Sequence, residues 1–231
     1  MTGRLVSAMT GAAPSGPPRD CPLCPRLAAF RDEQRARFPD WHNAPVASFG
    51  PPSPRLLIVG LAPGLRGANR TGRPFTGDYA GDLLYATLLK FGFAVGTYEA
   101  RPDDGLALVE TRIVNAVRCV PPQNKPEPSE IRTCRSFLEP ELQAAAEGAA
   151  VVALGRIAHD SVVRALGFRL KDAPFGHGAE HALGRLRLFD SYHCSRYNTN
   201  TGMLTTGMFE AVFGRVAAHL EDAGALMAAR P

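Results

Sequence analysis

The chain has 231 residues, of which 45% are hydrophobic and 21% are charged, and its formal net charge is +4. This length suits one large α/β domain with a substantial core, or two small domains, and the composition is ordinary for a soluble globular protein. A charge of +4 is too small to indicate nucleic-acid binding by itself, and no apolar run approaches the roughly 18 residues that a membrane helix needs.

The first twenty residues are rich in glycine, proline, alanine and serine and lack the apolar stretch of a secretory signal. We therefore expect a flexible tail over 1–20 and a single folded domain over 21–231. A cytoplasmic location, no membrane contact and a monomeric state are the default expectations for such a chain.

Four apolar runs alternate with helical patterns along the rest of the chain. The predicted strands are 56–59, 111–117, 149–154 and 186–190, and the predicted helices are 27–38, 83–89, 129 to about 147, 156–165 and 205–223. Strands that alternate with helices indicate a parallel sheet covered on both faces. The sequence therefore predicts a single-domain α/β fold with three α/β/α layers and a central four-stranded parallel sheet.

A long glycine-rich loop joins the first predicted strand to the next helix. It reads Gly60-Leu-Ala-Pro-Gly-Leu-Arg-Gly-Ala-Asn-Arg-Thr-Gly-Arg-Pro-Phe-Thr-Gly-Asp78. In open α/β sheets, ligands bind at the carboxyl ends of strands, and glycine lets backbone approach a ligand closely. Phe75 is either a core residue or a stacking surface. Asp78 is either the N-cap of the following helix or a carboxylate of the site.

Two later strands also lead into polar residues. Asn115 lies near the end of the second strand, where its amide either bonds to neighbouring backbone or reads the edge of a base. His193 follows the fourth strand in the polar loop 191–202, which offers hydroxyls, an arginine and aromatic rings for phosphates and bases. The remaining histidines lack this context and are interpreted as structural or solvated: His42, His159, His177, His181 and His219.

Four of the five cysteines have the spacing of metal ligands. Cys21 and Cys24 form a C-x-x-C pair in a proline-flanked segment, and Cys119 and Cys134 are separated by fourteen residues. A disulfide is not expected in a cytoplasmic protein. Four thiolates suit zinc and an iron–sulfur cluster equally well, so the spacing predicts a structural metal site without choosing the metal. Cys194 fits better as a small buried core residue.

Three long motifs resemble one known family. The loop that ends at Asp78 is similar to the first motif of the B-type (family five) uracil-DNA glycosylases. Asn115-Ala-Val-Arg-Cys-Val-Pro-Pro-Gln-Asn-Lys-Pro126 resembles their middle motif, and Ser191-Tyr-His-Cys-Ser-Arg-Tyr-Asn-Thr-Asn-Thr-Gly-Met-Leu-Thr205 resembles their last. The similarity extends from Cys21 to the final helix.

The resemblance implies a DNA repair enzyme. Members of this family hydrolyse the N-glycosidic bond of uracil in double-stranded DNA, without a lyase step, and leave an abasic site for base-excision repair. Several also accept hypoxanthine, ethenocytosine or mismatched thymine. The family carries a 4Fe-4S cluster, and the matching ligands in this chain would be Cys21, Cys24, Cys119 and Cys134.

The resemblance also implies a role for each matching residue. Asp78 would assist water attack or stabilise the cationic sugar, and His193 would stabilise the leaving uracil anion. Residues expected to bind the base are Gly60, Leu61, Ala62, Phe75 and Asn115, with Phe75 stacked on the ring and Asn115 bonded to its edge. Residues expected to contact DNA are Arg70, Ser195, Arg196, Tyr197 and Asn198.

The sequence departs from the family pattern at two places. Leu61-Ala62-Pro63 lacks the aspartate or asparagine with which many other uracil glycosylases activate water, which shifts the catalytic work to Asp78. Cys194 stands where relatives often have proline. The alternatives are a non-catalytic, metal-stapled DNA-binding module and a nucleotide or sugar-phosphate enzyme, although the loop lacks the P-loop lysine and the spacing of a dinucleotide fingerprint.

Overall fold

The computed structural model describes residues 16–224. The expected flexible tail over 1–20 therefore lies outside the described residues except for its last five positions. Within 16–224, no helix is both long enough and apolar enough to cross a membrane. The strands are β1 (Leu56–Gly60), β2 (Ala94–Val95), β3 (Ala107–Leu108), β4 (Thr111–Asn115), β5 (Ala150–Leu154), β6 (Glu180–Leu183) and β7 (Leu186–Ser191).

Eight α-helices are found in this part of the chain. They are α1 (Pro25–Arg37), α2 (Ala68–Thr71), α3 (Tyr79–Lys90), α4 (Pro128–Cys134), α5 (Glu139–Ala144), α6 (Arg156–Ala165), α7 (Arg196–Asn200) and α8 (Thr206–Asp222). Short 3₁₀ helices lie at Pro122–Asn124, Arg135–Phe137 and Leu170–Asp172.

The central sheet has five strands in the order β4-β1-β5-β7-β6. The first four strands run parallel, as predicted, and β6 pairs with β7 in the antiparallel sense. The sequence analysis missed β6 because Glu180-His-Ala-Leu183 contains no apolar run and lies half exposed at the sheet edge. It also missed the two-residue strands β2 and β3, which form a separate hairpin.

Alternate residues of the buried strands pack into two separate cores. On one face, Leu56 and Ile58 belong to a cluster with residues of α3 and α8, including Leu84 and Phe213. On the other face, Leu57 and Val59 join a cluster that contains residues of α5 and α6. Because successive side chains of a strand point to opposite faces, one continuous apolar run serves both cores. The predicted three-layer arrangement is confirmed.

The helix predicted over 129 to about 147 is wrong as a single element. It is divided into α4, a 3₁₀ turn and α5. Pro140 lies at the start of α5, where its missing N–H would leave a gap in a continuous helix and where it disfavours helical backbone in the preceding residue. The predicted loops 60–78, 121–126 and 191–202 each contain one short helical segment: α2, the Pro122–Asn124 turn and α7.

Candidate active site

One cavity of about 740 Å³ lies at the carboxyl ends of the parallel strands. Its walls come from the loops after β1, β4 and β7. Eight of the predicted site residues line it: Leu61, Ala62, Phe75, Asp78, Asn115, His193, Ser195 and Arg196. The structure therefore brings the Asp78 carboxylate and the His193 imidazole to the same pocket.

Asp78 occupies the N-cap position of α3 with extended backbone (φ −137°, ψ 166°). Among the described residues, its side chain makes no capping hydrogen bond, and its buried Oδ1 atom has no hydrogen-bond partner. Its Oδ2 atom lies against Gly64 and Gly67, and a Cβ atom at Gly64 would be 2.8 Å from it. Burial raises the pKa of Asp78 above its ordinary value. Asp78 therefore occupies the N-cap position and also places its carboxylate in the pocket wall.

Asn115 and Phe75 meet at Gly60. Gly60 is paired with Asn115 in the sheet register, and a side chain at Gly60 would collide with the Asn115 amide and the Phe75 ring, whose Cζ atom would lie 2.6 Å from the added Cβ. Asn115 is 3% exposed, and its Oδ1 atom lacks a hydrogen-bond partner within residues 16–224. Gly60 lies behind the pocket wall, where the absence of a side chain makes room for both groups.

A buried ion pair holds the backbone around Phe75. Phe75 has a positive φ of 53°, which is uncommon for a residue with a side chain. Two residues earlier, the guanidinium of Arg73 donates hydrogen bonds of 2.7 Å to each carboxylate oxygen of Asp104 and one of 2.7 Å to Thr76. Tyr85 donates from its hydroxyl to the carbonyl of Pro74 at 2.6 Å. These contacts fix the aromatic ring in the pocket wall.

The His193 ring faces Phe75 across the pocket, with ring centroids 5.9 Å apart and planes inclined by 27°. Burial lowers the pKa of His193 to about 4, so the ring is neutral at pH 7. The Asn198 amide donates to the His193 carbonyl at 2.8 Å. Asn198, which is predicted to contact DNA, also supports the backbone that carries the histidine.

The rim of the pocket is basic and aromatic. Arg196 is exposed and lies over the Tyr79 ring at 5.4 Å from its centroid, and Tyr197 projects outward with 73% of its surface exposed. Ser195 accepts a hydrogen bond from the Asn198 backbone and thereby caps α7. Arg70 is exposed and is not part of the pocket wall.

Three polar or aromatic wall residues were missed by the sequence analysis: Arg66, Tyr79 and Asn124. Arg66 lies in the first motif and Asn124 in the middle motif, so both stood in segments that had already been singled out. Asn124 has a positive φ of 56°, which turns the loop after β4 back toward the pocket. Nothing in the sequence marked that turn.

The four cysteines predicted to bind metal line one small cavity beside α1. The backbone N–H of Arg118 donates to the Cys134 Sγ atom at 3.3 Å, and buried Arg31 donates to the Cys21 carbonyl at 3.1 Å. Burial raises the pKa of Cys119 to about 12, so a thiolate there needs a nearby positive charge. Cys194 lies elsewhere, fully buried, with its thiol 3.4 Å from the Ala80 carbonyl.

Comparison with known proteins agrees with this geometry. Residues 47–217 match the family model of the uracil DNA glycosylase superfamily. The chain is 47% identical over 196 residues to a type-5 uracil-DNA glycosylase of Thermus thermophilus. That alignment covers 82% of this chain and 89% of the relative. It is 39% identical over 211 residues to one of Pyrobaculum aerophilum (90% and 91%) and 42% identical over 202 residues to one of Mycobacterium tuberculosis (84% and 75%). The chain belongs to the uracil-DNA glycosylase superfamily.

Proposed function

We propose that this protein is a monofunctional uracil-DNA glycosylase that hydrolyses the N-glycosidic bond of uracil in DNA and leaves an abasic site. One observation carries the proposal. In a chain of this superfamily, Asp78 and His193 line the same cavity, together with an amide at Asn115 and an aromatic face at Phe75. Asn115 and Phe75 can hold a base by its edge and its face, while Asp78 and His193 act on the sugar side and the base side of the N-glycosidic bond.

The chemistry requires the target base to leave the helix. Extrusion costs a few kcal/mol and is least unfavourable for mispaired or damaged bases. As the C–N bond breaks, positive charge develops on the sugar and negative charge on the base. In our proposal, the Asp78 carboxylate stabilises the sugar cation and orients the attacking water, and the neutral His193 ring donates a hydrogen bond to the departing base.

Base recognition falls to Asn115 and Phe75. The Asn115 amide can both donate and accept, so it can pair with the edge of uracil and with related edges of other bases. Leu61 and Ala62 contribute apolar wall, and neither side chain offers a hydrogen-bonding group that would restrict the pocket to one base. We infer that hypoxanthine, ethenocytosine and thymine opposite guanine are further substrates.

The DNA contacts follow from the exposed rim. Arg66, Arg70 and Arg196 supply positive charge around the pocket mouth, and the exposed ring of Tyr197 suits insertion into the duplex at the position that the base leaves. We propose double-stranded DNA as the partner, a monomeric enzyme and a cytoplasmic location associated with the nucleoid.

We infer that the cysteine cavity holds a 4Fe-4S cluster with Cys21, Cys24, Cys119 and Cys134 as ligands. Four thiolates on a single zinc ion, each about 2.3 Å from it, would lie about 3.8 Å apart. Among residues 16–224, no group of three cysteine sulfurs lies mutually within 4.8 Å, although all four cysteines line one cavity. The sulfurs would have to move closer together to bind one zinc ion, and four thiolates are the ligand set that a 4Fe-4S cluster takes. When bound, the cluster would brace the loop after β4.

Incubation with defined duplexes tests the function. Purified protein is mixed with duplexes that contain uracil, hypoxanthine or thymine opposite guanine, and abasic sites are revealed by alkaline strand cleavage. We expect cleavage at uracil and at the other two bases. DNA binding without any abasic product would support a non-catalytic module, and ATP or NAD binding without DNA cleavage would support a nucleotide enzyme.

A further inference from the structure

A buried histidine–aspartate pair lies behind the strand that delivers His193. His159 on α6 and Asp190 on β7 are 1% and 0% exposed. The His159 Nδ1 atom is 2.7 Å from Asp190 Oδ1, and its Nε2 atom is 2.8 Å from the Ala173 carbonyl oxygen. None of these three residues lines the pocket. Their geometry nevertheless constrains the protonation of the ring.

Both partners of the His159 ring are hydrogen-bond acceptors. An ionised carboxylate and a backbone carbonyl have no proton to give, so the ring satisfies both only when it carries a proton on each nitrogen. His159 is then an imidazolium beside a carboxylate, because imidazole is ordinarily the stronger base of the two. Burial disfavours this charge, but the hydrogen bond and the negative charge of Asp190 outweigh burial, and the pKa of His159 is raised.

Groups of both charge signs surround the pair. His181 on β6 places its Nε2 atom 3.5 Å from Asp190 Oδ2, and Asp160 on α6 contributes a further negative field at His159. The His159 and Phe175 rings pack edge to face with centroids 5.5 Å apart, and the Arg156 guanidinium lies over the Phe175 ring. The proton on His159 is therefore stabilised by carboxylates on two elements, Asp190 on β7 and Asp160 on α6. Positive charge at Arg156, or at His181 when it is protonated, acts against it.

A metal ion is the alternative to the proton. The donor atoms of His159, His181 and Asp190 all lie within 4.8 Å of one another. However, a nitrogen and an oxygen bound to one zinc ion, each at about 2.0–2.1 Å in tetrahedral geometry, would lie about 3.3 Å apart. The direct contact of 2.7 Å between His159 and Asp190 leaves no place for the ion. A shared proton explains the geometry without any movement.

Gly155 lies between the pair and His193. Gly155, which precedes α6, donates from its backbone N–H to the Ser191 carbonyl at 2.8 Å. A Cβ atom at Gly155 would lie 3.5 Å from the His193 Cβ atom, and Gly155 has a φ of 94°, which favours glycine. Helix α6 is thus attached to the end of β7 at Asp190 and at Ser191, two residues before His193.

We propose that His159 and Asp190 are positioning residues for His193, because the proton they share fixes the end of β7 against α6. This inference rests on the proposed role of His193. His159 has a raised pKa in the folded protein. Its contribution to the stability of this contact is therefore fully present below the pKa of the unfolded chain and is lost as pH rises through the pKa of the folded state. Loss of the proton removes one of the two acceptor contacts, and excision should slow on the alkaline side.

The test compares His159→Gln and Asp190→Asn with the control His219→Gln. His219 is a partly buried histidine on α8 that bonds one backbone carbonyl, at Gly148, outside the pocket wall. Single-turnover excision from a uracil duplex is measured from about pH 5 to about pH 10, a range that spans the ordinary histidine pKa. We expect a rate about 10- to 100-fold lower in His159→Gln, with unchanged DNA affinity and no alkaline decline.

Asp190→Asn keeps the ring and removes the charge that stabilises its proton. The alkaline decline should therefore move to lower pH instead of disappearing, and the control should behave as the wild type. Proton NMR of the wild-type protein gives an independent measurement: one histidine should titrate above the ordinary 6.5, and its signal should be missing from His159→Gln. That measurement holds even if a variant folds poorly.

The outcomes separate this inference from the proposed function. If His193→Ala excises uracil normally, the proposed role of His193 is wrong. The protonation of His159 is still tested separately by the NMR titration. If His193→Ala is slow but His159→Gln keeps the wild-type rate and pH profile, the positioning role is wrong. Stoichiometric zinc that is retained by the wild type and lost from His159→Gln would also overturn the shared proton.

Discussion

Asp78 and His193 face one cavity with protonation states that suit opposite ends of the same bond. Burial raises the pKa of the carboxyl and lowers the pKa of the imidazole to about 4. Near neutral pH this leaves a poorly solvated carboxylate for the cationic sugar and an uncharged donor for the base. Within residues 16–224, neither side chain forms a salt bridge, so both remain available to the substrate.

Replacing the carboxylate tests its role directly. We expect Asp78→Asn to lower single-turnover uracil excision by about 100-fold or more, because a preorganised charge is lost from the transition state. DNA affinity should not weaken, since the change removes negative charge from a surface that approaches phosphates. Asp82→Asn is the matched control, because Asp82 is an exposed residue in the first turn of the same helix. Equal rates for the two variants would contradict the assignment.

The pH dependence of excision reports both protonation states. The rate should increase as pH rises through the pKa of Asp78, which lies above its ordinary 3.8, and it should then be level across neutral pH. No step is expected near the ordinary histidine pKa of about 6.5, because His193 has already lost its proton. Single-turnover excision rates of the wild type and Asp78→Asn, measured as a function of pH, test this profile. A step near 6.5 that disappears in His193→Ala would show that the histidine acts as a cation.

At the scale of elements, the loop after β1 depends on an ion pair. The hydrogen bond from Arg73 holds the pKa of Asp104 well below its usual range, although burial opposes this. Their side chains are 6% and 0% exposed. Removing one partner of such a pair leaves the other charge buried and uncompensated, which costs about 3–5 kcal/mol.

Asp104→Asn should therefore reduce the free energy of unfolding by about 3–5 kcal/mol at neutral pH. A depressed carboxyl pKa gives stability that is present above the unfolded pKa and is lost as pH falls, so the difference between wild type and variant should shrink on acidification. Urea unfolding at neutral and acid pH measures both effects. Asp103→Asn, at an exposed neighbouring residue, should change little. A similar loss at the two positions would contradict a specific role for the ion pair.

The sequence predicted those elements whose residues are buried on all sides. The runs that became β1 and β5 are apolar throughout, since helices cover both faces of the sheet, and their positions follow from composition alone. The edge strand β6 is partly exposed and carries mixed residues, so no local pattern distinguishes it from a loop. Its pairing with β7 depends on tertiary contacts that a single segment does not encode.

The same distinction holds for the site. The presence of Asp78 and His193 in the loops that follow two parallel strands could be inferred from topology, because the carboxyl ends of parallel strands meet at one edge. The hydrogen bond from Asn198 to the His193 carbonyl could not be inferred, because it depends on how the short helix α7 turns back toward the residues that precede it. Asn124 lines the pocket and has a positive φ. Asparagine adopts this conformation more often than most residues, but its presence in a loop does not predict it.

At the scale of the whole molecule, the cysteine cavity connects three distant segments. Cys21 and Cys24 precede α1, Cys119 follows β4, and Cys134 ends α4. The loop between the last two contains Asn124, which lines the active-site pocket. A cluster bound to these ligands would therefore act on the pocket mechanically, by fixing the loop, without contacting the substrate.

Loss of one ligand should separate metal binding from the pocket chemistry. We expect the wild-type protein to be brown, with broad absorption near about 400 nm, and Cys119→Ser to be colourless, less stable to heat and weaker in DNA binding. Cys194→Ser is the control for metal content, because Cys194 lies outside the cysteine cavity and should leave the colour unchanged. Iron and sulfide analysis gives the stoichiometry. A colourless wild-type protein with one zinc ion per chain would show that a single ion holds these segments together.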